Sequence, residues 1–149
     1  MIVIGYQGIG KSTLAGADKG CIDLESSNFF IDGKRDENWY KIYANIAINL
    51  SEQGFVVFTS SHKVVRDELA KSDERKVIIN PRIELKEDWI TKLEERYIST
   101  NLEKDLKAYL NAKSCYEENI NELMLDTNFI NVVLEDMNYS LEDIVRTIS

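Results

Sequence analysis

Met1-Ile2-Val3-Ile4-Gly5-Tyr6-Gln7-Gly8-Ile9-Gly10-Lys11-Ser12-Thr13 is the stretch from which the rest of the chain can be read. Ile2-Val3-Ile4 is apolar and β-branched with no alternation, as in a short strand buried on both faces. It runs directly into Gly5-x-x-x-x-Gly10-Lys11-Ser12, after which the pattern turns helical. That spacing has a chemical reason. Glycines let backbone N–H groups curl around a phosphate with no Cβ in the way. The helix that opens at the loop turns its positive end to the same place. Lys11 can then reach the β- and γ-phosphates of a nucleoside triphosphate, and the Ser12 hydroxyl can ligate Mg²⁺. Gly8, Ile9, Gly10, Lys11, Ser12 and Thr13 are the candidate nucleotide-binding residues, with ATP and Mg²⁺ as the cofactors the pattern calls for.

Outward from this stretch, apolar runs alternate with helical patterns. A first helix from Lys11 to about Asp18 stops before Gly20, and Cys21-Ile22-Asp23-Leu24-Glu25 reads as a second strand. Ser26 to Arg35 is a polar connection. Asp36 can cap the next helix, whose stripe of Trp39, Ile42, Tyr43, Ile46, Ala47 and Leu50 has helical spacing and ends at Gly54. Phe55 to Phe58 is a third strand, followed by a helix capped by Ser60 or Ser61 and running to Lys71. Val77 to Ile79 is a fourth strand, stopped at Asn80-Pro81. From Glu84 to about Leu125 the chain becomes charged and helical with thinner apolar stripes, among them Trp89, Leu93 and Tyr97, and later Tyr116, Ile120 and Leu123. Phe129 to Leu134 restores the strand pattern, and Ser140-Leu141-Glu142-Asp143 opens a last helix with a capping box. Five strands alternating with helices predict an α/β domain with a parallel sheet, its site at the carboxyl ends of the strands.

With 149 residues the chain is expected to form one domain. Its net charge is −8 and no basic block occurs, which disfavours nucleic-acid backbones and anionic membranes as partners. Cys21 and Cys115 lie too far apart to suggest a metal site, and Cys21 reads as a small buried residue. Met1 leads straight into a strand and no apolar run approaches eighteen residues, so a cytoplasmic protein without a signal peptide or membrane span is the expectation.

A phosphate loop at the start of a small five-stranded chain resembles the nucleotide and nucleoside monophosphate kinases of the adenylate-kinase-like group, including small bacterial and phage types. The charged segment of about residues 84–126 looks like that group's helical lid insert, and the Ser-Leu-Glu-Asp-Ile-Val helix like its C-terminal helix. The resemblance covers the whole chain by order of elements, while only the loop is motif-specific. It implies a three-layer P-loop NTPase fold and phosphoryl transfer from ATP to a small-molecule nucleotide acceptor, foremost a (deoxy)nucleoside monophosphate. A nucleotide-hydrolysing switch, or a kinase of a nucleoside, polynucleotide end or other metabolite, are the alternatives.

Carried over by position, the family's acceptor-gripping cation after the third strand falls on Lys63, with Arg66 nearly one turn later. Thr59 stands where the family has an acid. Asp23, ahead of Glu25, could supply the missing carboxylate; in deoxynucleoside kinases an acid at this strand end resembles a base for the acceptor hydroxyl. Arg96 is the candidate lid arginine, four residues after Lys92, a like-charged spacing that an anion would relieve. Lys11, Asp23 and Arg96 are thus the candidate catalytic residues, Lys63 and Arg66 the acceptor-binding ones, and Ser12 the metal ligand. Arg82, His62 and Tyr40 are weaker candidates for the cleft.

Overall fold

The structure, a computed structural model, describes residues 1–31 and 33–149. Along the chain run β1 (Ile2–Gly5), α1 (Lys11–Ala17), β2 (Cys21–Asp23), β3 (Phe30–Ile31), β4 (Lys34–Arg35), α2 (Trp39–Glu52), β5 (Val56–Thr59) and α3 (Lys63–Leu69). They continue with β6 (Lys76–Pro81), α4 (Lys86–Thr100), α5 (Glu103–Met124), β7 (Ile130–Leu134) and α6 (Leu141–Ile148). Five strands form one parallel sheet in the order β2-β5-β1-β6-β7. Every residue of Ile2–Ile4 and of Val77–Asn80 is inaccessible to solvent, so both faces of the central strands are covered, as an all-parallel sheet requires. The expected five-stranded α/β architecture is present.

The topology decides where a crevice opens. From β1 the chain passes through α1 to the edge strand β2; from β5 it passes through α3 beyond β1 to β6. Connections that leave neighbouring strands in opposite directions part at the carboxyl ends of those strands. Here that point is the β1–β5 pair, where Ile4 lies beside Thr59.

Three details depart from the sequence pattern. The polar connection contains a short 3-10 turn (Ser26–Phe29) and a two-stranded antiparallel ribbon of β3 and β4; Asp32 of that predicted connection lies outside the described residues. On α2 the buried face is Tyr43, Ala44, Ala47 and Ser51, while Ile42 and Ile46 are exposed. The alanines let the helix approach β5 and β1 closely, and that close contact sets its rotation instead of the larger isoleucines. Strand β6 continues through Pro81, which pairs with Leu134. The missing N–H costs nothing on that side, because β1 has already ended opposite Ile79 and the ladder to β7 resumes with Arg82 N–H to Leu134 O.

Helices α4 and α5 form an antiparallel hairpin whose base is core. Trp89, Leu93, Ala112, Tyr116 and Ile120 are all buried, and Tyr116 Oη donates to Arg82 O at 2.8 Å. The tip is different: Ile98, Leu102 and Leu110 are exposed. Within the base α5 has non-helical backbone at Cys115 (φ −135°, ψ 19°). The sequence stripes therefore hide a division into an anchored base and a loosely held tip. Few buried contacts mean low local stability. Amide hydrogen exchange across residues 96–108 should be faster than across 116–124 by roughly an order of magnitude or more; uniform protection along α5 would show a rigid hairpin.

Candidate functional site

Where the β1 and β5 connections part lies a cavity of about 520 Å³, within the size range of small-ligand sites. Its floor is the loop from Gly5 to Ser12; its walls come from Asp23–Ser26, Thr59–Lys63 and the facing side of the α4–α5 hairpin.

The loop is shaped from outside. Trp89 Nε1 donates to Gln7 O at 2.9 Å and Tyr139 Oη donates to Ile9 O at 2.9 Å. Two loop carbonyls are thereby held in bonds to α4 and to the segment before α6. Gly8 (φ 88°) and Gly10 (φ 106°) take up the required left-handed backbone. At Gly8 a Cβ would also meet Leu93 Cδ2 at 2.8 Å and Trp89 Nε1 at 3.3 Å, so the loop lies hard against α4. Gln7 adds a third tie: its Nε2 donates to Ala108 O (3.1 Å) and to Asn111 Oδ1 (3.0 Å) on α5.

Lys11 opens α1 and folds back over the loop, its Nζ donating to Gly5 O at 3.2 Å. The residue keeps some surface, but its ammonium is enclosed, and that desolvation lowers its pKa. Asp23 and Glu25 oppose the shift, and Arg96, a second cation across the cavity, adds to it. Burial pushes the Asp23 carboxyl up, Lys11 pulls it down, and the negative charge of nearby Glu25 pushes it up again. The end of β2 thus presents two acidic side chains toward a lysine. Beside them Thr59 Oγ1 is buried with no hydrogen-bond partner among the described residues, although a buried hydroxyl without one is costly.

Tyr43 frames the wall opposite the hairpin. Its Oη donates to Leu24 O (2.5 Å) and accepts from Ser60 N–H (2.8 Å), tying the end of β2 to the end of β5. His62 caps α3 by position only; its ring shares a hydrogen bond with Ser60 Oγ and meets the Trp39 ring edge-on. Burial, then Arg35, lowers its pKa. Trp39 and Tyr43 pack with Phe29, which agrees with reading both as core. Tyr40, partly buried against that core, is not part of the cavity wall.

The candidate cations differ in how they are held. Lys63 borders the cavity and is exposed, paired with Asp67 at 2.9 Å. An exposed i,i+4 pair is worth only about 0.3–0.5 kcal/mol, so an anion can draw Lys63 away. Arg66 is 4% exposed and held by Asp126 (2.7 Å), by Glu122 and by Ser61 O (3.0 Å); breaking such a set is costly. Arg66 therefore lines the cavity as a structural tie between α3 and the end of α5. Lys92 and Arg96, four residues apart, part company: Lys92 Nζ donates to Tyr139 Oη at 2.8 Å and lies over the Trp89 ring, whereas Arg96 faces the cavity. Arg82 lies away from it, facing Glu84 and Glu135.

A second hollow of about 390 Å³ sits behind the loop, bordered by Thr13, Ala17, Met137 and Leu141. Trp89 stacks on Tyr139 at 6.1 Å and 14° at this side, and burial raises the Tyr139 pKa to about 12. Sequence reasoning missed the roles of Gln7, Trp89 and Tyr139. Trp89 sits on a core stripe, and its only separate signal is an indole N–H that needs a buried acceptor.

No protein-family profile matches the chain, and no curated protein sequence matches it as a relative. Among the described residues no group of three or more His, Cys, Asp or Glu side chains is arranged to hold a metal, and no helix is long and apolar enough to cross a membrane.

The buried ammonium has a consequence for stability. A lysine whose native pKa lies below its unfolded value of 10.5 opposes folding fully below the native pKa, and the opposition fades as pH rises toward 10.5. Lys11→Met should therefore melt at the same temperature as the parent chain or higher near neutral pH, with the gap closing in alkaline solution. A melting point lower by more than about 3 °C, the equivalent of roughly 1 kcal/mol in a chain of this length, would make the ammonium structural.

Proposed function

We propose that the chain is a P-loop phosphotransferase that passes the γ-phosphoryl group of ATP to a small acceptor, foremost a (deoxy)nucleoside monophosphate. The observation that carries this reading is the phosphate loop itself. Its carbonyls at Gln7 and Ile9 are bonded on the outside, its glycines leave the backbone bare, and an enclosed lysine sits at its head. A buried ammonium flanked by a second cation is an arrangement that an anion completes.

The residues present fit ATP with Mg²⁺. Gly8 and Gly10 hold the loop in a left-handed backbone with Gly8 hard against α4, and the buried Thr59 hydroxyl has no hydrogen-bond partner among the described residues. Ser12 would hold the metal, with Asp23 or Glu25 able to accept from its waters in place of the acid that Thr59 replaces. Bound nucleotide supplies an activated phosphoryl group, with Mg²⁺ spreading its charge. The remaining work falls to the chain. Lys11 and Arg96 bind charge from two sides of the cavity, Lys63 draws in an anionic acceptor at little cost, and the hairpin limits access of water. The hollow behind Thr13 and Ala17, flanked by the Trp89–Tyr139 stack, is suited to a flat heterocycle.

One observation favours a neutral acceptor instead. Arg66 is already satisfied by two carboxylates, which leaves Lys63 alone at the acceptor wall. Asp23, its carboxyl pushed up by burial, is suited to accept a proton from a hydroxyl. ADP release measured across nucleosides, (deoxy)nucleoside monophosphates and sugars separates the two. Activity with at least one monophosphate is expected, with Lys63→Ala raising that acceptor's KM far more than ATP's. Activity on nucleosides alone would assign the acceptor as a hydroxyl group.

In the same assay Asp23→Asn should lower kcat by about 10²-fold or more and leave ATP affinity nearly unchanged. Lys11→Ala should abolish transfer in a folded protein. Wild-type turnover by Lys11→Ala would end the kinase reading.

A further inference from the structure

Asp105 is the only acid among the deeply buried residues described, at 4% exposure. It sits in the first turn of α5, at the tip of a hairpin where Ile98 and Leu102 are exposed. A carboxylate is not buried at such a place without a reason. One oxygen, Oδ1, faces Arg96 Nε at 3.2 Å. The other, Oδ2, accepts from Thr100 Oγ1, and Thr100 Oγ1 in turn accepts from Leu102 N–H at 3.3 Å. Asn101 between them adopts the left-handed conformation that turns the chain from α4 into α5. The carboxylate is therefore fixed by the turn itself, and it is fixed on the side chain of Arg96.

What that fixing leaves free is informative. Arg96 is half-buried and lines the cavity. Its Nε is the atom paired with Asp105, and Nη1 and Nη2 make no hydrogen bond to the described residues. The planar end of the guanidinium is the part that grips two oxygens of a phosphate at once. Arg96 also stands close enough to Lys11 to depress its pKa, so the two cations face one space. A flexible arginine loses rotamer freedom when it binds, whereas one held at Nε has lost it beforehand.

We infer that Asp105 is a positioning residue, which holds Arg96 by its Nε so that the two terminal nitrogens meet the end phosphate of a triphosphate seated on the loop. This rests on the proposed nucleotide site and names a residue that site does not otherwise require. It also makes a directional claim. If Asp105 only neutralised Arg96, removing its charge would release the arginine and strengthen anion binding; if it positions Arg96, removing the charge weakens it.

The test is calorimetric and does not depend on turnover. Affinities for the β,γ-imido analogue of ATP and for ADP, each with Mg²⁺, are measured for the parent chain, Asp105→Asn, Arg96→Ala and the double variant. The ratio of the two affinities isolates the terminal phosphate. Asp105→Asn and Arg96→Ala should each lower the ratio about tenfold, the scale of one hydrogen bond to a charged group. The double variant should fall no further than Arg96→Ala alone, since Asp105 acts through Arg96. Should Asp105→Asn unfold in a melting control, Thr100→Val removes the other restraint on the carboxylate without changing charge, and should lower the ratio by a smaller factor. An unchanged or raised ratio, or losses that add in the double variant, overturns the inference. A parent chain that binds neither nucleotide overturns the nucleotide site, and this inference with it.

Discussion

Two hydrogen bonds from distant parts of the chain, Trp89 Nε1 to Gln7 O and Tyr139 Oη to Ile9 O, decide which way the Gly5–Ser12 loop faces. A loop of bare peptides next to a cavity has several ways to satisfy its own groups. Taking up the carbonyls on the outer side removes the acceptors most easily reached by the loop's own N–H groups. The positive φ at Gly8 and Gly10 and the contact of Gly8 with Leu93 belong to the same arrangement. The bonds span 82 and 130 residues in sequence. A site whose motif lies in the first dozen residues is thus completed only when α4 and the segment after β7 have docked, and contacts of that range form late.

The second constraint is charge. In a chain of net charge −8 carboxylates are plentiful, and the question at each paired cation is whether the partner can be exchanged. Lys63 and Asp67 are both exposed, so water competes with their pairing. Arg66 is buried between Asp126 and Glu122 and holds α3 to the end of α5. Two cations of similar sequence standing, three residues apart, are separated into a solvent-accessible one and a structural one by burial. Lys11 is the third case: among the described residues its ammonium hydrogen-bonds to Gly5 O, and the acids near it, Asp23 and Glu25, act through space.

The sheet was legible because buried parallel strands are written as unbroken β-branched runs, and each of Ile2–Ile4, Val56–Phe58 and Val77–Ile79 falls within an observed strand. The capping box was legible for the same local reason, with Asp143 N–H donating to Ser140 Oγ at 3.2 Å. Where packing overrides local pattern, the reading slipped. The α2 stripe includes Ile42 and Ile46, which the close approach of Ala44 and Ala47 to the sheet turns outward. The segment before α2 contains a ribbon of two-residue strands too short for any periodicity to announce. Of the site, the loop was evident from spacing. Arg66 was readable as a cation near the cleft, but its two acids lie 56 and 60 residues away, and no local pattern marks such a partner. Asp105 was hidden for a similar reason, since an acid in the first turn of a helix is ordinarily read as favouring the dipole.

Helix α4 shows how one element can serve both sides of the loop. Trp89 and Leu93, four residues apart, share the buried face and press on Gly8. Lys92 lies one position before Leu93 and turns to the rear, over Trp89 and onto Tyr139. Arg96, a further turn along, reaches the front cavity beside Lys11. An ideal helix would stack Lys92 and Arg96 on one face at a cost of about 0.2–0.5 kcal/mol for like charges. Lys92 avoids that cost by lying across aromatic rings, where its charge meets their negative faces, and Arg96 by its pairing with Asp105. The same helix that shapes the loop from outside therefore carries a cation to its open side. Movement of α4 as a body would disturb both at once. Only the turn beyond Tyr97, where Ile98 is exposed and Asn101 reverses the chain, can shift without unseating Trp89 from the Gln7 carbonyl.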